Sequence, residues 1–411
     1  MAPALAGATR AIGAAGAARP GGDRPRPGSP GWGRRGPDLP PASGQLTAGA
    51  FKLSNVQDDT FGDPRGARPF PWLAGSATGI GSMPGAIPAE AARIVAGELP
   101  DFPYLPELPG RGPGGDLTGR TAALLIDMPV ETTLGGWRIA ERPGRSVRAA
   151  RSMMSADLDA IEEVFAGYEG PFKLSLCGPW TLAATIELPR TLTAVLSDHG
   201  AVADLTGSLA EATAAHVAEL AKRIPGADLV VQFDEPALAV VARGEVPTAS
   251  GLSRLPAVDS AVMSDRLGTV LAAARRYSVI HCCASLVPFG IIWAAQPDAV
   301  AFDLGLLRRE DGDRIAEMAE AGMGILAGAV SATPPAGERQ VPLKTAQRVL
   351  RFWRRLGLPP EDCAPQLVVT PSCGLAGAAP AQATAALAHC REAARIVAEL
   401  AEESEDTEFG P

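Results

Sequence analysis

Between residues 69 and 402 the sequence repeats one unit: a short apolar run, a turn, then a stretch with helical spacing. Apolar runs fall at residues 74–82, 121–127, 172–177, 228–234, 277–283, 298–303, 324–330 and 366–370. Helical patterns follow or separate them at 89–99, 155–165, 180–197, 201–223, 259–276, 312–321, 343–356 and 381–402. The runs are close to continuously apolar, which is the pattern of strands buried on both faces of a parallel sheet. Eight strand-then-helix units predict a closed α/β architecture, the (β/α)8 TIM barrel. An open doubly wound sheet is the alternative, but no Gly-rich dinucleotide fingerprint follows the first run.

Residues 1–68 differ in texture. They are rich in Gly, Pro, Ala and Arg and carry no apolar period, so they bury too little surface to offset chain entropy. The reading is a disordered extension at 1–68, a catalytic barrel at 69–402 and an acidic, frayed tail at 403–411. Of the 411 residues 46% are hydrophobic, enough for a large core, and no apolar run reaches the length of a membrane span. A net charge of -9 with no basic patch in the folded part argues against nucleic acid. Six Cys in so long a chain, two of them adjacent, do not make a disulfide framework, and a reducing, cytoplasmic setting follows.

In such a barrel the site lies at the carboxyl ends of the strands, and there the unusual residues fall. The fourth run ends in Gln232-Phe233-Asp234-Glu235-Pro236, the fifth in His281-Cys282-Cys283, the sixth in Asp303, and Cys373 follows the eighth. Along a strand His281 and Cys283 share a face and Cys282 takes the other. His281, Cys283 and Cys373 make three ligands of a zinc site with a position left for substrate. The competing account is three ordinary buried residues, since Cys is among the most buried types. A thiol entering the open position of such a site is deprotonated. Asp234 then suits the cationic end of an amino-acid thiol, with Glu235 in support.

The segment 232–238, His281-x-Cys283 and Pro371-Ser372-Cys373-Gly374-Leu375 together resemble the catalytic domain of cobalamin-independent methionine synthase. Ile80-Gly81-Ser82, and Leu176-Cys177-Gly178-Pro179 with Thr181, are similar to that family less specifically. The likeness spans roughly residues 69–400. It implies a barrel of the uroporphyrinogen-decarboxylase and methionine-synthase type. It also implies zinc held by His281, Cys283, an acid at Asp303 and Cys373, and homocysteine gripped by Asp234 and by Ile80, Gly81 and Ser82. The activity implied is S-methyl transfer to homocysteine, as in 5-methyltetrahydropteroyltriglutamate–homocysteine methyltransferase, giving methionine, with Asp234 in the catalytic set.

Three departures bear on the donor. Asp303 stands where the family has Glu. No second barrel precedes residue 69. After the seventh run the chain reads Gly328-Ala329-Val330-Ser331, without the family's His that is linked to protonating folate. Methyltetrahydrofolate needs that proton to leave, whereas methylcobalamin or a methyl-corrinoid protein does not, so both donors stay open. The rival functions are a zinc-thiolate methyltransferase acting on another thiol, and a non-catalytic zinc barrel that docks a corrinoid or methyl-carrier protein. Cys177, Cys282, Cys363 (in a predicted loop), His199, His216, His389 and Cys390 read as structural, and Ser82 has no triad partners.

Overall fold

The structure, a computed structural model, describes residues 69–334 and 340–408. The extension expected at 1–68 lies outside the described residues.

Strands three to eight of the expected series form where the apolar runs lie. They are β3 (Gly170–Cys177), β5 (Ala227–Asp234), β6 (Tyr277–His281), β7 (Ala299–Asp303), β8 (Gly324–Val330) and β9 (Leu367–Pro371). They pair in that order as one parallel, six-stranded sheet. Single parallel bridges extend it at both edges. Ala77 pairs with Val369, Ser82 with Glu107, and Tyr104 with Lys173. The segments around 77–82 and 104–107 thus lie between β9 and β3.

The second strand is a correction. Residues 121–127, expected to be extended, enter the helix Leu117–Ala122 and the turn after it. Asp116 caps this helix by accepting from the Gly119 N–H at 2.6 Å, a cap that commits the chain to a helix before the apolar residues begin. The extended partner comes earlier, in the Pro-rich, wholly buried stretch 102–108. A second unforeseen element is a small sheet of β1 (Val130–Thr133), β2 (Gly136–Ile139) and β4 (Ile186–Glu187), tied by Arg138 to Glu187 at 2.7 Å. The helix expected over 180–197 is accordingly short, Pro179–Thr185. The last helix, Pro380–Glu408, runs through most of the expected acidic tail.

Alternate residues of each strand serve two layers. Val230, Val279, Ala299, Ala301, Leu326 and Val368 pack together inside the curl of the sheet, closed below by Trp72, Phe102 and Tyr277. Trp72 stacks on Phe102 at 5.7 Å and meets Tyr277 edge-on at 5.2 Å. Their neighbours Leu229, Val231, Phe233, Ile280, Val300, Phe302 and Ile325 belong to the larger core under the helices. Pro at the first turn starts the helices Pro88–Glu98, Pro179–Thr185, Pro342–Arg355 and Pro360–Gln366. Helix Pro342–Arg355 buries Thr345, Ala346, Val349, Leu350 and Trp353, one stripe at helical spacing.

Candidate active site

The inner layer is apolar at its amino end and polar toward its carboxyl end. Register decides which polar side chains meet. Lys173 pairs with Val230, Ser175 with Gln232, Cys177 with Asp234, and Asp234 with His281. Partners across a parallel ladder share a face, so Lys173, Ser175, Gln232, Asp234 and His281 all point into the curl.

Asp234 and His281 are both buried, and Asp234 Oδ1 lies 2.5 Å from His281 Nδ1. The carboxylate accepts from Nδ1–H and so leaves Nε2 to face the site; Nε2 is buried and has no hydrogen-bond partner. A carboxylate behind one ring nitrogen with the other left open is the arrangement that orients a metal-binding imidazole.

The two thiols expected to act with it stand together. Cys283 Sγ lies 3.1 Å from Cys373 Sγ, although 90 residues separate them in the chain. The hydrogen bond from Cys283 brings Cys373 down to about 6, against burial and with help from His281. The same bond and burial push Cys283 up. Gly374 lets this loop close on the first extended segment: a Cβ there would lie 2.1 Å from Ser82 Oγ, and Leu375 N–H donates to Ser82 O at 2.8 Å.

Asp303 is more open than these. Its Oδ1 accepts from the Gly305 N–H at 2.7 Å, and burial raises its carboxyl against that bond and the Arg348 charge. Among the described residues no three His, Cys, Asp or Glu side chains stand within one ion's reach as they lie. The donor chemistry nonetheless fits zinc: two paired thiols, one held low, and a buried imidazole with a free nitrogen.

Glu235 departs from the role expected for it. One residue along the strand from Asp234, it points out of the curl and is fully buried. One oxygen accepts from Trp180 N–H at 2.8 Å; the other accepts from Thr181 N–H at 2.8 Å and its hydroxyl at 2.6 Å. Both oxygens are spent on the start of helix Pro179–Thr185, where a carboxylate complements the free N–H groups. Burial still pushes its carboxyl up to about 7 against those three donors. The residue secures a helix, and no part of it is left for a substrate.

Ile80, Gly81 and Ser82 do reach the site. The Ile80 carbonyl accepts from Lys173 Nζ at 2.8 Å, Ser175 Oγ at 3.1 Å and Gln232 Nε2 at 2.9 Å. Gly81 O accepts from Glu107 N–H at 3.0 Å. Glu107 and Lys173 were missed from sequence. Glu107 is buried beside Gly81, where an added Cβ would meet its Cδ at 3.5 Å. Burial pushes it up to about 7, although the Arg120 guanidinium 3.5 Å away opposes this. Burial brings Lys173 down to about 8, against the pull of Asp234 and Glu107. An acid inside the buried Leu105-Pro106-Glu107-Leu108 stretch was the available signal for Glu107.

The family model for the catalytic domain of cobalamin-independent synthase matches residues 189–396. This chain belongs to the cobalamin-independent synthase family. That span carries Asp234, His281, Cys283, Asp303 and Cys373, whereas the 80–82 turn and Glu107 precede it. Among solved structures, a B12-independent methionine synthase from Shewanella sp. W3-18-1, in complex with selenomethionine, is similar at 12% identity and TM-score 0.53, covering 80% of this chain and 99% of that one. A methyltransferase from Methanosarcina mazei aligns at 15% identity and TM-score 0.48 over 79% of this chain and 94% of its own. At 12% identity the first of these likenesses bears on the fold alone. No curated protein matches the chain. Within the synthase family the chain is a methyltransferase, built on a curled parallel sheet. No helix among the described residues is long and apolar enough to cross a membrane.

Proposed function

We propose that this member of the synthase family transfers a methyl group to the thiol of homocysteine, giving methionine. The observation that carries the reading is His281, held through Nδ1 by Asp234 with Nε2 open, at the same strand ends as the Cys283–Cys373 pair. We read the bridged segments at 77–82 and 104–107 as the first two strands of a complete eight-stranded barrel, spanning residues 69–402. Zinc held by His281, Cys283 and Cys373, with Asp303 as the fourth donor, supplies a Lewis acid that keeps a substrate thiol ionised near neutral pH.

The chain's own groups do the remainder. Asp234 orients His281 through Oδ1 and offers Oδ2 to the substrate ammonium, with Glu107 as a second acid beside the turn. The backbone at 80–82, its Ile80 carbonyl turned inward, presents its other face to the carboxylate of the amino acid. The thiolate sulfur attacks the methyl carbon. The S–C bond forms as the donor's bond to that carbon breaks, and the electron pair leaves with the donor.

The donor reading is methylcobalamin or a methyl-corrinoid protein rather than methyltetrahydrofolate. Beyond β8, Ser331 is clasped by Gln340, which accepts from its N–H at 3.0 Å and donates to its carbonyl at 3.2 Å. Apart from His281 the chain has three His. His199 opens the helix His199–Arg223, His216 is buried within it, and His389 bonds Thr345 at 2.9 Å. None of them lies in the segment directly after β8, where a proton for a folate would be supplied.

The test is zinc per chain on purified protein, wild type beside Cys373→Ser, with metal-edge absorption before and after homocysteine, then turnover with each donor. The reading expects near one zinc per chain, weakened by the substitution, a new sulfur neighbour with homocysteine, and turnover with methylcobalamin. Zinc indifferent to both Cys373 and homocysteine refutes it. A sulfur neighbour only with another thiol moves the substrate. Zinc with no alkylation of any thiol leaves a non-catalytic barrel that docks a carrier.

A further inference from the structure

We infer that Gln232 is a positioning residue that couples the amino-acid-binding turn at 80–82 to the imidazole of His281. The inference rests on the proposed zinc and homocysteine reading of the site.

Gln232 lies on β5 two residues before Asp234, facing inward, and is fully buried. A buried amide in an apolar layer is unfavourable unless it is hydrogen-bonded. Both bonds come from its Nε2: one to Ile80 O at 2.9 Å, the other to Asp234 Oδ1 at 2.8 Å. Asp234 Oδ1 is also the atom that holds His281 Nδ1. One –NH2 group therefore spans from the turn to the carboxylate that sets the ring. The amide cannot be turned over, because Oε1 would then face a carbonyl oxygen and a carboxylate oxygen, both acceptors. Oε1 itself is buried without a partner, so the side chain is unsatisfied on its acceptor side while both donor hydrogens are used.

The turn end of this link is stiff. Lys173 and Ser175 hold the same Ile80 oxygen from β3. A shift of that carbonyl when an amino acid settles on the turn has a direct route, through one amide, to Asp234 and thence to His281. A residue that only filled space would need neither bond. Coupling of this kind is a difference in affinity and is reciprocal between the two ligands.

The experiment uses the full chain and norvaline, which has the homocysteine skeleton with a methyl group in place of the thiol and so occupies the turn with no sulfur to ligate the metal. Zinc affinity is measured by chelator competition with and without saturating norvaline, in wild type and in Gln232→Met, which keeps the length and removes both donors. Norvaline is expected to change wild-type zinc affinity by about fivefold or more. In Gln232→Met the ratio falls to about one while each ligand still binds. An unchanged ratio in the variant, or a ratio of one in wild type, overturns the link. Should Gln232→Met not fold, Gln232→Leu, which also removes both donors, takes its place in the same measurement. The 15N signals of His281, identified by their loss in His281→Asn, must move when norvaline binds the zinc-free protein, and a still signal overturns the link. Failure of wild type to bind zinc or norvaline at all overturns instead the site reading on which the link rests.

Discussion

The site has two halves of different construction. On β3, β5 and β6 the polar groups are buried and bonded to one another: Lys173 and Ser175 to Ile80, Gln232 to Ile80 and Asp234, Asp234 to His281. On the loops after β6 and β9 and at the last residue of β7, Cys283, Cys373 and Asp303 are part-exposed, and the two thiols bond each other while Asp303 bonds its own turn. The first half is preorganised by the parallel sheet before any ligand arrives. The second is held by short local contacts that an incoming ion can exchange. Rigid strands thus fix the imidazole, and loops carry the thiols that, in the proposed zinc reading, would close around the metal.

That contrast predicts where substitutions act. Cys373→Ser, in the loop half, is expected to lower zinc affinity by on the order of 1,000-fold, about 4 kcal/mol, with little change in the melting temperature of the zinc-free protein. A matching loss of zinc-free stability breaks the distinction. Glu235→Leu, behind the strand half, leaves three buried donors without an acceptor and is expected to destabilise the zinc-free fold by about 3 kcal/mol in denaturant titration.

Lys173→Met tests the charge stored in the strand half. The folded pKa of Lys173 is depressed to about 8 from 10.5. The charged form is therefore disfavoured on folding, so its stabilising contribution is complete above the unfolded value and lost as pH falls to about 8. Wild-type stability should rise relative to Lys173→Met between pH 8 and 10.5, by about 3 kcal/mol at the limit, and run parallel to it below pH 8. A flat difference across that window removes the depressed lysine. Asp234→Asn reverses the hydrogen-bonding role behind His281 and is expected to weaken zinc by about 10–100-fold, with the fold retained. Asp303→Ala is the smallest change, less than about 1 kcal/mol in stability. A tenfold or greater loss of zinc affinity in that variant sharpens Asp303 into a ligand, and no loss leaves it to the Gly305 turn.

Strands three to eight were legible because each is an apolar run with turn residues at its end, and the pattern survives whatever packs against it. The first run, 74–82, likewise falls on the segment that bridges Val369, but the second was misplaced. The segment 104–107 is short and broken by Pro, so its extension comes from pairing with Ser82 and Lys173 rather than from its own composition. The apolar residues after Thr121 mimic a strand, and only the Asp116 cap betrays the helix. In the site, His281, Cys283, Cys373 and Asp234 were legible as reactive types at strand ends. Glu235 was misread because adjacent acids look equivalent in sequence, whereas strand parity sends one to the site and the other to a helix end.

The sequence by itself determined the parallel α/β architecture and the chemistry available at its rim. Periodicity and residue type are local properties, and a strand end is recognisable without its neighbours. Only the tertiary structure decided that Asp234 stands beside His281, that Cys283 meets Cys373, that Glu107 and Lys173 belong to the site and that Gln232 bridges its parts. Those relations depend on register between strands far apart in the chain, and register is set by packing across the whole sheet.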